Sequence, residues 1–272
     1  MKPLLEILPG NINTGRSDLR CEISDDVFSF AIKNEEQNAY VAAAVYQFEK
    51  NDKSAAEDLK SLFSDHPFLK HSFAKTCLIF SNDESVLIPF NLYSSLENGN
   101  ALNLAHGDIT ANDLIQTDLV TEAGVYNTYR ISKPVSDFFA KSFPDAVRTH
   151  LYSALIKTPQ PGDSISLIFY PDRFALKLNV KYKTQLIHTF RYAVPADVSY
   201  TLLNICQRFN LQNIPVIISG LIDRDSALYK EIYQYFETVD FAVLPEAYNY
   251  PDAIKEQPAH YFSHLFALVS CE

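Results

Sequence analysis

The 272-residue sequence predicts an α/β protein made of two halves that share one order of elements. In each half, three strands joined by tight turns precede a helix, a strand, a helix, a strand and a helix. Residues 158–162 contain two prolines and one glycine, which is typical of a linker between the halves. Because a repeated order is more informative than any one element, we place the halves at residues 1–158 and 162–272.

The first half opens with three segments of alternating apolar and polar side chains, which predict an antiparallel meander. Ser54 and Glu57 then form the sequence pattern of a capping box, which predicts a helix that ends at Pro67. The three strands of the meander are expected at residues 19–23, 27–33 and 39–48.

An insertion at about residues 66–124 interrupts the first half after this helix. Within it, residues 73–80 and 86–88 are expected to pair as a hairpin. We expect the next strand of the half at residues 125–132, after which Pro134 fits the first turn of a helix. The half is expected to end with a strand at residues 146–150 and a helix at residues 152–157.

The second half contains the clearest alternation in the sequence, at residues 174–181. Residues 214–219 form an apolar run that is typical of a strand buried on both faces of a parallel sheet, and Gly220 follows it. The other strands are expected at residues 164–170, 185–192 and 239–244, and the helices at 195–209, 226–236 and 257–271.

The acidic excess of the chain limits its partners. The 33 Asp and Glu residues against 23 Lys and Arg give a formal net charge of −10, which disfavours binding to nucleic acid or anionic membrane. The apolar run from Leu4 to Leu8 is short and contains Glu6, so no signal peptide is expected. No stretch is long and apolar enough to span a membrane, and we expect a cytoplasmic protein.

Four cysteines, Cys21, Cys77, Cys206 and Cys271, form no Cys-x-x-Cys pair. Zinc ligation and disulfides are the functional interpretations. Widely spaced cysteines in a chain without an export signal are more typical of reduced, buried thiols. We therefore expect four reduced thiols.

Short motifs support a resemblance that the element order indicates. Residues 22–26 (EISDD) end the first strand of the meander, residues 217–220 (IISG) end the buried strand of the second half, and residues 265–269 lie in the last helix. The twice-repeated order resembles the actin-like ATPase fold, built from two ribonuclease H-like halves. The chain is similar to the bacterial actin relatives of cell division and pilus assembly. It also resembles an uncharacterised bacterial family with this fold.

The resemblance implies where ATP and Mg²⁺ would bind. In actin-like ATPases the phosphates lie between two tight hairpins, one per half, where glycine lets backbone N–H groups approach them. A carboxylate at a strand end orders the magnesium ion and its waters. By this resemblance Glu22 stands for the carboxylate and Ser24 for the first glycine. Ser219 and Gly220 stand for the motif at the adenosine.

Several positions depart from the family pattern where the phosphates would lie. Tyr170 replaces the glycine of the second hairpin, and Pro171 after it lacks a backbone donor. Leu221 replaces the second glycine at the adenosine, and no other phosphate-binding motif occurs. We therefore expect no cofactor and favour a non-catalytic scaffold that binds an unidentified protein partner. The alternative is a divergent protein that binds or slowly hydrolyses ATP with Mg²⁺.

A basic segment in the second half is a candidate for partner binding. Residues 173–196 contain five cations and no carboxylate, although the whole chain is acidic. Lys177, Lys181 and Lys183 are candidate residues for docking an acidic partner. The other interpretation is a solvated strand face, on which lysines also prevent edge-to-edge pairing. Nucleic acid is the less favoured partner, because no aromatic–glycine pattern of RNA-binding domains accompanies the segment.

Three further sets of side chains each have a functional and a structural interpretation. His260 and His264 fit half of a metal site or a polar helix face, and we favour the helix face. Ser226 and the aspartates before it fit a ligand site or an N-cap, and we favour the N-cap. Tyr248 and Tyr250 fit a protein interface or packing against the sheet equally well. No catalytic group is assigned.

Overall fold

Two large sheets share one order over five strands, and a third, smaller sheet is inserted in the first half. The computed structural model describes residues 1–268 except 9, 11, 50–53, 96–97 and 161. The described chain falls into two units. The first contains Met1–Thr158, Glu246–Lys255 and Leu268, and the second contains Pro159–Pro245 and Glu256–Ala267. The chain therefore returns to the first unit after it has built most of the second.

The described residues form fourteen strands and eight α-helices. In chain order, the strands are β1 (Lys2–Ile7), β2 (Ser17–Ile23), β3 (Val27–Asn34), β4 (Ala39–Gln47), β5 (Lys75–Phe80), β6 (Ser85–Pro89), β7 (Asp113–Val120), β8 (Val125–Ser132), β9 (Val147–His150), β10 (Ser164–Phe169), β11 (Arg173–Val180), β12 (Lys183–Arg191), β13 (Val216–Gly220) and β14 (Val239–Phe241). The helices are α1 (Ala55–Asp65), α2 (Asn98–His106), α3 (Lys133–Ser142), α4 (Leu151–Lys157), α5 (Pro195–Arg208), α6 (Ala227–Tyr233), α7 (Asp252–Lys255) and α8 (His260–Ala267). Within the described residues, no helix combines the length and apolar character needed to cross a membrane.

The main sheet of the first unit has the order β1-β4-β3-β2-β5-β9. Strands β2, β3 and β4 form the predicted antiparallel meander, and β5 pairs in parallel with both β2 and β9. At the start of α1, the Ser54 hydroxyl accepts a hydrogen bond from the Glu57 amide, and the Glu57 carboxylate accepts one from the Ser54 amide. The predicted capping box is confirmed. Phe28 of β3, Phe63 of α1 and Phe139 of α3 pack together in the core of this unit.

The insertion differs from its prediction. Residues 73–80 and 86–88 do not pair, because β5 belongs to the main sheet while β6 joins a separate sheet of order β6-β8-β7. The strand at residues 125–132, expected to continue the half, is β8 of this separate sheet. The insertion thus lies between β5 and α3 rather than at residues 66–124. Alternation identifies a strand but not its sheet, and the better signal was the continuous apolar run at residues 77–80, which is typical of a central parallel strand.

The second unit repeats the arrangement of the first. Its sheet order, β12-β11-β10-β13-β14, corresponds to β4-β3-β2-β5-β9. Leu176 and Ile218 of the sheet share a core with Val198 of α5. The Ser226 hydroxyl accepts a hydrogen bond from the Tyr229 amide at 3.1 Å, which confirms the predicted N-cap of α6. The predicted last helix is α8, and the part of that prediction after residue 268 lies outside the described residues.

Two of the four cysteines agree with the expectation of reduced thiols. Cys21 and Cys206 are free, and burial raises the pKa of each thiol. The expectation is wrong for Cys77, which is disulfide-bonded. Cys271 lies outside the described residues. Spacing along the sequence did not reveal the disulfide because it does not report which cysteines approach each other in space.

Candidate functional site

The turn between β2 and β3 is where the resemblance places the first phosphate-binding hairpin. The Ser24 hydroxyl accepts a hydrogen bond from the Val27 amide at 3.0 Å and donates one to the Asp26 carboxylate at 2.8 Å. The Ser24 amide donates to the Val27 carbonyl at 2.9 Å. In a phosphate-binding turn, glycine leaves such amides directed at the ligand. Here the Val27 amide donates to the Ser24 hydroxyl of the same turn, so this amide is not directed at a ligand.

Glu22, the candidate magnesium-ordering carboxylate, lies on β2 two residues before Ser24. Its side chain is 2% exposed, and the residue stands opposite Ser29 on β3 and Ile79 on β5. A cavity of about 240 Å³ lies beside the turn and is lined in part by Ser24 and Asn82, but not by Glu22. Small-molecule sites usually enclose roughly 300–1,000 Å³, so this cavity of the first unit is small for a nucleotide.

The turn between β10 and β11 is where the second phosphate-binding hairpin would lie. Tyr170 and Arg173 are both buried there, and the Arg173 guanidinium carbon lies 4.6 Å from the centroid of the Tyr170 ring. The Tyr170 amide donates to the Arg173 carbonyl at 2.9 Å, and the Tyr192 hydroxyl donates to the Tyr170 carbonyl at 3.3 Å. A cation over an aromatic face is a favourable contact, and burial strengthens it. Side chains of the second unit therefore fill this turn.

Ser219 and Gly220, the candidate adenosine motif, have roles inside their own sheet. The Ser219 hydroxyl donates to the Leu167 carbonyl of β10 at 3.0 Å. Gly220 has a φ of +84°, and a Cβ at this position would lie 2.3 Å from the Phe169 carbonyl oxygen and 2.7 Å from the Phe169 nitrogen. The close approach of β13 to β10 and the left-handed backbone each require glycine here, with or without a ligand.

Side chains of helix α8 hydrogen-bond to the loop that follows Gly220. His260 Nε2 donates to the Ile222 carbonyl at 2.7 Å, and the Tyr261 hydroxyl donates to the Asp223 carboxylate. Burial lowers the pKa of His260. The expected polar helix face is wrong for His260, because this side chain is buried against the loop. Throughout the described chain, no group of three His, Cys, Asp or Glu side chains is placed to hold a metal ion.

The basic segment does not form one surface. Lys177 is 4% exposed, and burial lowers its pKa to about 8, so the expectation of a docking lysine is wrong there. The alternation of β11 predicted a solvated face, but β11 lies inside the sheet and both of its faces are buried. Lys181 and Lys183 are exposed at the turn between β11 and β12, where Lys181 and Tyr182 both have positive φ. These two lysines remain candidates for partner binding.

Tyr248 and Tyr250 pack against the main sheet of the first unit. Of the two interpretations of this pair, packing against the sheet is therefore the one that the structure supports. Their ring centroids lie 5.1 and 6.0 Å from that of the buried Tyr40 on β4. The Asn249 amide donates to the Asn38 carbonyl at 2.9 Å, and the Tyr40 amide donates to the Asn249 carbonyl at 3.0 Å. The returning segment thus closes one side of the first unit.

A buried polar cluster, which the sequence analysis missed, connects the inserted sheet to β9. The Asp118 carboxylate on β7 accepts hydrogen bonds from the His150 amide at 2.7 Å and the Thr149 hydroxyl at 2.9 Å. His150 Nδ1 accepts from the Tyr152 amide, and Nε2 donates to the Asn82 carbonyl at 3.0 Å. These bonds fix one neutral tautomer of His150. No local sequence pattern points to a cluster whose members are this far apart in the chain.

Comparison with solved structures defines the class of fold. A protein of Bacteroides thetaiotaomicron VPI-5482, described as having an actin-like ATPase fold and unknown function, aligns with a TM-score of 0.73 at 17% identity, over 90% of this chain and 98% of its own. The PilM-PilN type IV pilus biogenesis complex aligns with a TM-score of 0.54 at 11% identity, over 92% and 97% of the two chains. Ethanolamine utilization protein EutJ from Carboxydothermus hydrogenoformans gives 0.50 at 10% identity, over 98% and 92%. The protein therefore has the actin-like ATPase fold.

The family follows from the sequence itself. The chain belongs to the family described as "Protein of unknown function (DUF3822)", which matches residues 10–239. No curated protein matches the chain significantly. The expected likeness to an uncharacterised family with this fold, and to a pilus-assembly relative, is confirmed.

Proposed function

We propose that this protein is a non-catalytic scaffold that uses the actin-like fold to bind another protein. The observation that carries the proposal is the closure of the places where the fold would hold nucleotide. Ser24 takes the Val27 amide in the first turn, Tyr170 packs against Arg173 in the second, and Ser219 hydrogen-bonds within its own sheet. Groups that are already satisfied inside each unit are not available to phosphates.

The size of the catalytic loss follows from the number of contacts that are missing. Removing one preorganised electrostatic contact to a transition state costs about 3–4 kcal/mol. Losing one such contact at each of the two turns costs about 6–8 kcal/mol, or roughly a factor of 10⁴–10⁶ in rate. Hydrolysis reduced by this factor is too slow to support a catalytic role.

A protein is the class of partner that the charge of the chain favours. The net charge of −10 opposes binding to nucleic acid, and fold alone does not determine function. One of the aligned structures is itself a complex, that of PilM with PilN, which supports a partner-binding role by analogy of fold. The partner is unidentified, and the cytoplasmic location expected from the sequence is part of this proposal.

A thermal-shift titration with ATP, ADP and GTP, each with and without Mg²⁺, tests the proposal. A ligand at 100 times its Kd stabilises the folded state by about 2.7 kcal/mol, on the order of 5–10 °C for a chain of this size. We expect no shift at millimolar nucleotide. A Mg²⁺-dependent shift with ATP would contradict the proposal.

The alternative function, divergent ATP binding, rests on Glu22 as the carboxylate at the end of β2. If a Mg²⁺-dependent shift occurs, the Glu22→Gln variant should abolish it, whereas the matched variant of an exposed carboxylate in the same unit, Glu122→Gln, should retain it. That combination would establish the alternative.

A further inference from the structure

We infer that the outer edge of β14 is a docking site for an extended segment of a partner protein, one that alternates apolar and basic side chains. This inference rests on the proposed function and names the site and the partner chemistry for it. β14 is the last strand of the second unit's sheet and pairs in parallel with β13 along one side.

The backbone of β14 and of the two residues that follow it leaves hydrogen-bonding groups directed away from the sheet. The Ala242 amide donates to the Ile218 carbonyl at 2.8 Å, so Ala242 and, by alternation, Asp240 direct their backbone groups at β13. The backbone groups of Phe241 and Val243 therefore point to the open side. Within the part of the chain that the structure describes, neither residue's backbone hydrogen-bonds on that side. Such groups are a template for an added strand.

The other edges show how this fold protects a strand that is not meant to pair. In the first unit, the edge that corresponds to β14 is β9, and Asp118 from the inserted sheet accepts hydrogen bonds from its last two residues. At the opposite edge of the second unit, β12 carries exposed Lys183, Gln185 and Arg191, and its pairing with β11 contains a bulge. Charges and bulges are common devices against edge pairing. Among the described residues, β14 has no bulge in its pairing and no side chain that caps its outer backbone groups. Its own charge, Asp240, is acidic, so it repels an acidic strand but attracts a basic one.

Side chains just after β14 and at the end of α6 supply an apolar surface beside this edge. Val243 is 75% exposed, and Tyr233 at the end of α6 is 59% exposed. Tyr233 stacks on Tyr229 with ring centroids 5.8 Å apart, and Tyr229 stacks on Phe241 at 5.0 Å. This column of rings runs from the surface of α6 to the edge strand. Exposed aromatic and branched side chains beside open backbone groups fit the alternate apolar side chains of an added strand.

The charge of the side chains near β14 indicates which kind of segment would pair with this edge. The exposed carboxylates of Glu237 and Asp240 flank the strand. The Arg224 guanidinium carbon lies 5.0 Å from the centroid of the Phe241 ring, and because side chains alternate along a strand, this cation is on the face opposite to Asp240. The Asp240 face therefore favours basic side chains on the added segment. A second copy of this chain would bring an edge with the same acidic side chains, and like charges brought together across a strand pair are unfavourable. The edge is therefore suited to a heterologous cationic segment rather than to self-association.

The experiment uses the full chain and a fluorescein-labelled heptapeptide that alternates lysine with valine or phenylalanine. Affinity is measured by fluorescence anisotropy, and the site is located by hydrogen exchange. We expect binding that protects the amides of Phe241 and Val243. Val243→Pro removes one outward donor from a mostly exposed position and should weaken binding about tenfold, whereas Val243→Thr keeps the donor and should not. Asp240→Lys should weaken binding most at low salt, and the same change at an exposed carboxylate of the first unit, Glu122→Lys, should leave it unchanged.

With the parent peptide, three results would overturn the inference: no binding at the highest protein concentration, equal binding to wild type and Val243→Pro, or protection of β12 in place of β14. An N-methylated peptide with the same side chains is the control for backbone pairing, and binding as tight as that of the parent would also count against an added strand. The nucleotide titration separates this inference from the proposed function. Absence of both nucleotide and peptide binding removes the docking site alone, whereas Mg²⁺-dependent ATP binding removes the proposed function.

Discussion

Replacing Gly220 by alanine tests whether this glycine serves the sheet or a ligand. The new Cβ would lie 2.3 Å from the Phe169 carbonyl oxygen, whereas ordinary contacts begin at 3.4 Å. The backbone of β10 or β13 must therefore move by about 1 Å. That movement strains the hydrogen bond from the Leu221 amide to the Phe169 carbonyl, which measures 2.8 Å. The positive φ adds the cost of a left-handed alanine.

These effects together predict a loss of about 3–5 kcal/mol in the free energy of unfolding of the second unit. The matched control is Gly162→Ala in the same unit. Gly162 has a φ of +73°, but a Cβ there meets no atom within 4 Å. This control retains the backbone strain without the clash, and we expect it to cost about 1–2 kcal/mol.

Urea unfolding followed by far-UV circular dichroism measures both variants, since the chain has no tryptophan to report on fluorescence. The two units can unfold in separate transitions, and hydrogen exchange of the β10 and β13 amides assigns the loss to the second unit. If Gly220→Ala costs no more than Gly162→Ala, the close approach of β13 to β10 does not explain the glycine, and a ligand role for Gly220 returns.

Three other measurements test particular contacts. Ser54→Ala removes the capping box of α1 and should lower the free energy of unfolding by about 1 kcal/mol in urea titrations. Burial lowers the pKa of His150 to about 4, so the unfolded chain takes up a proton near pH 6.5 and the folded chain only near pH 4. Neutral His150 therefore contributes up to about 3 kcal/mol to the free energy of unfolding above pH 6.5, and this contribution is lost as the pH falls toward 4. Urea titrations across that pH range should show a smaller loss of stability for His150→Asn than for the wild type. Acetic anhydride at pH 8 should label the exposed Lys181 and Lys183 faster than Lys177, as read by mass spectrometry.

Each of these expectations has a contrary outcome. Unchanged stability of Ser54→Ala would mean that the helix end does not depend on the cap. Parallel pH profiles of wild type and His150→Asn would show that another group titrates in that window. We expect the three lysines to be labelled equally only when the protein is unfolded in urea. Equal labelling in the folded protein would mean that Lys177 is accessible, and it would again be a candidate docking residue.

The parts of the fold that local chemistry determines were predictable from the sequence. The Ser54–Glu57 capping box needs only residues three apart, and the tight turns of both meanders lie between neighbouring strands. The assignment of β5 and β8 to sheets failed because it depends on partners far along the chain. Strand β1 was missed because its alternation is short and its side chains are mostly exposed at a sheet edge.

The candidate site was predictable in residue type but not in geometry. The sequence alone shows that Ser24 and Tyr170 replace glycines, but not that Ser24 closes its own turn or that Arg173 covers Tyr170. Gly220 matches the family pattern, yet its requirement comes from the backbone of Phe169. Lys177 illustrates the same limit, because a strand that alternates lysine and leucine has the same pattern whether or not its polar face is covered.

The return of the chain to the first unit has a consequence for its synthesis. Asn38 donates a hydrogen bond to the Ala247 carbonyl across 209 residues of sequence, and the rings that cover Tyr40 come from the same late segment. At about 5–20 residues per second, a ribosome needs roughly 10–40 s to travel that distance. During this interval the nascent first unit leaves the Tyr40 ring uncovered, and that ring is covered only after residue 250 has emerged.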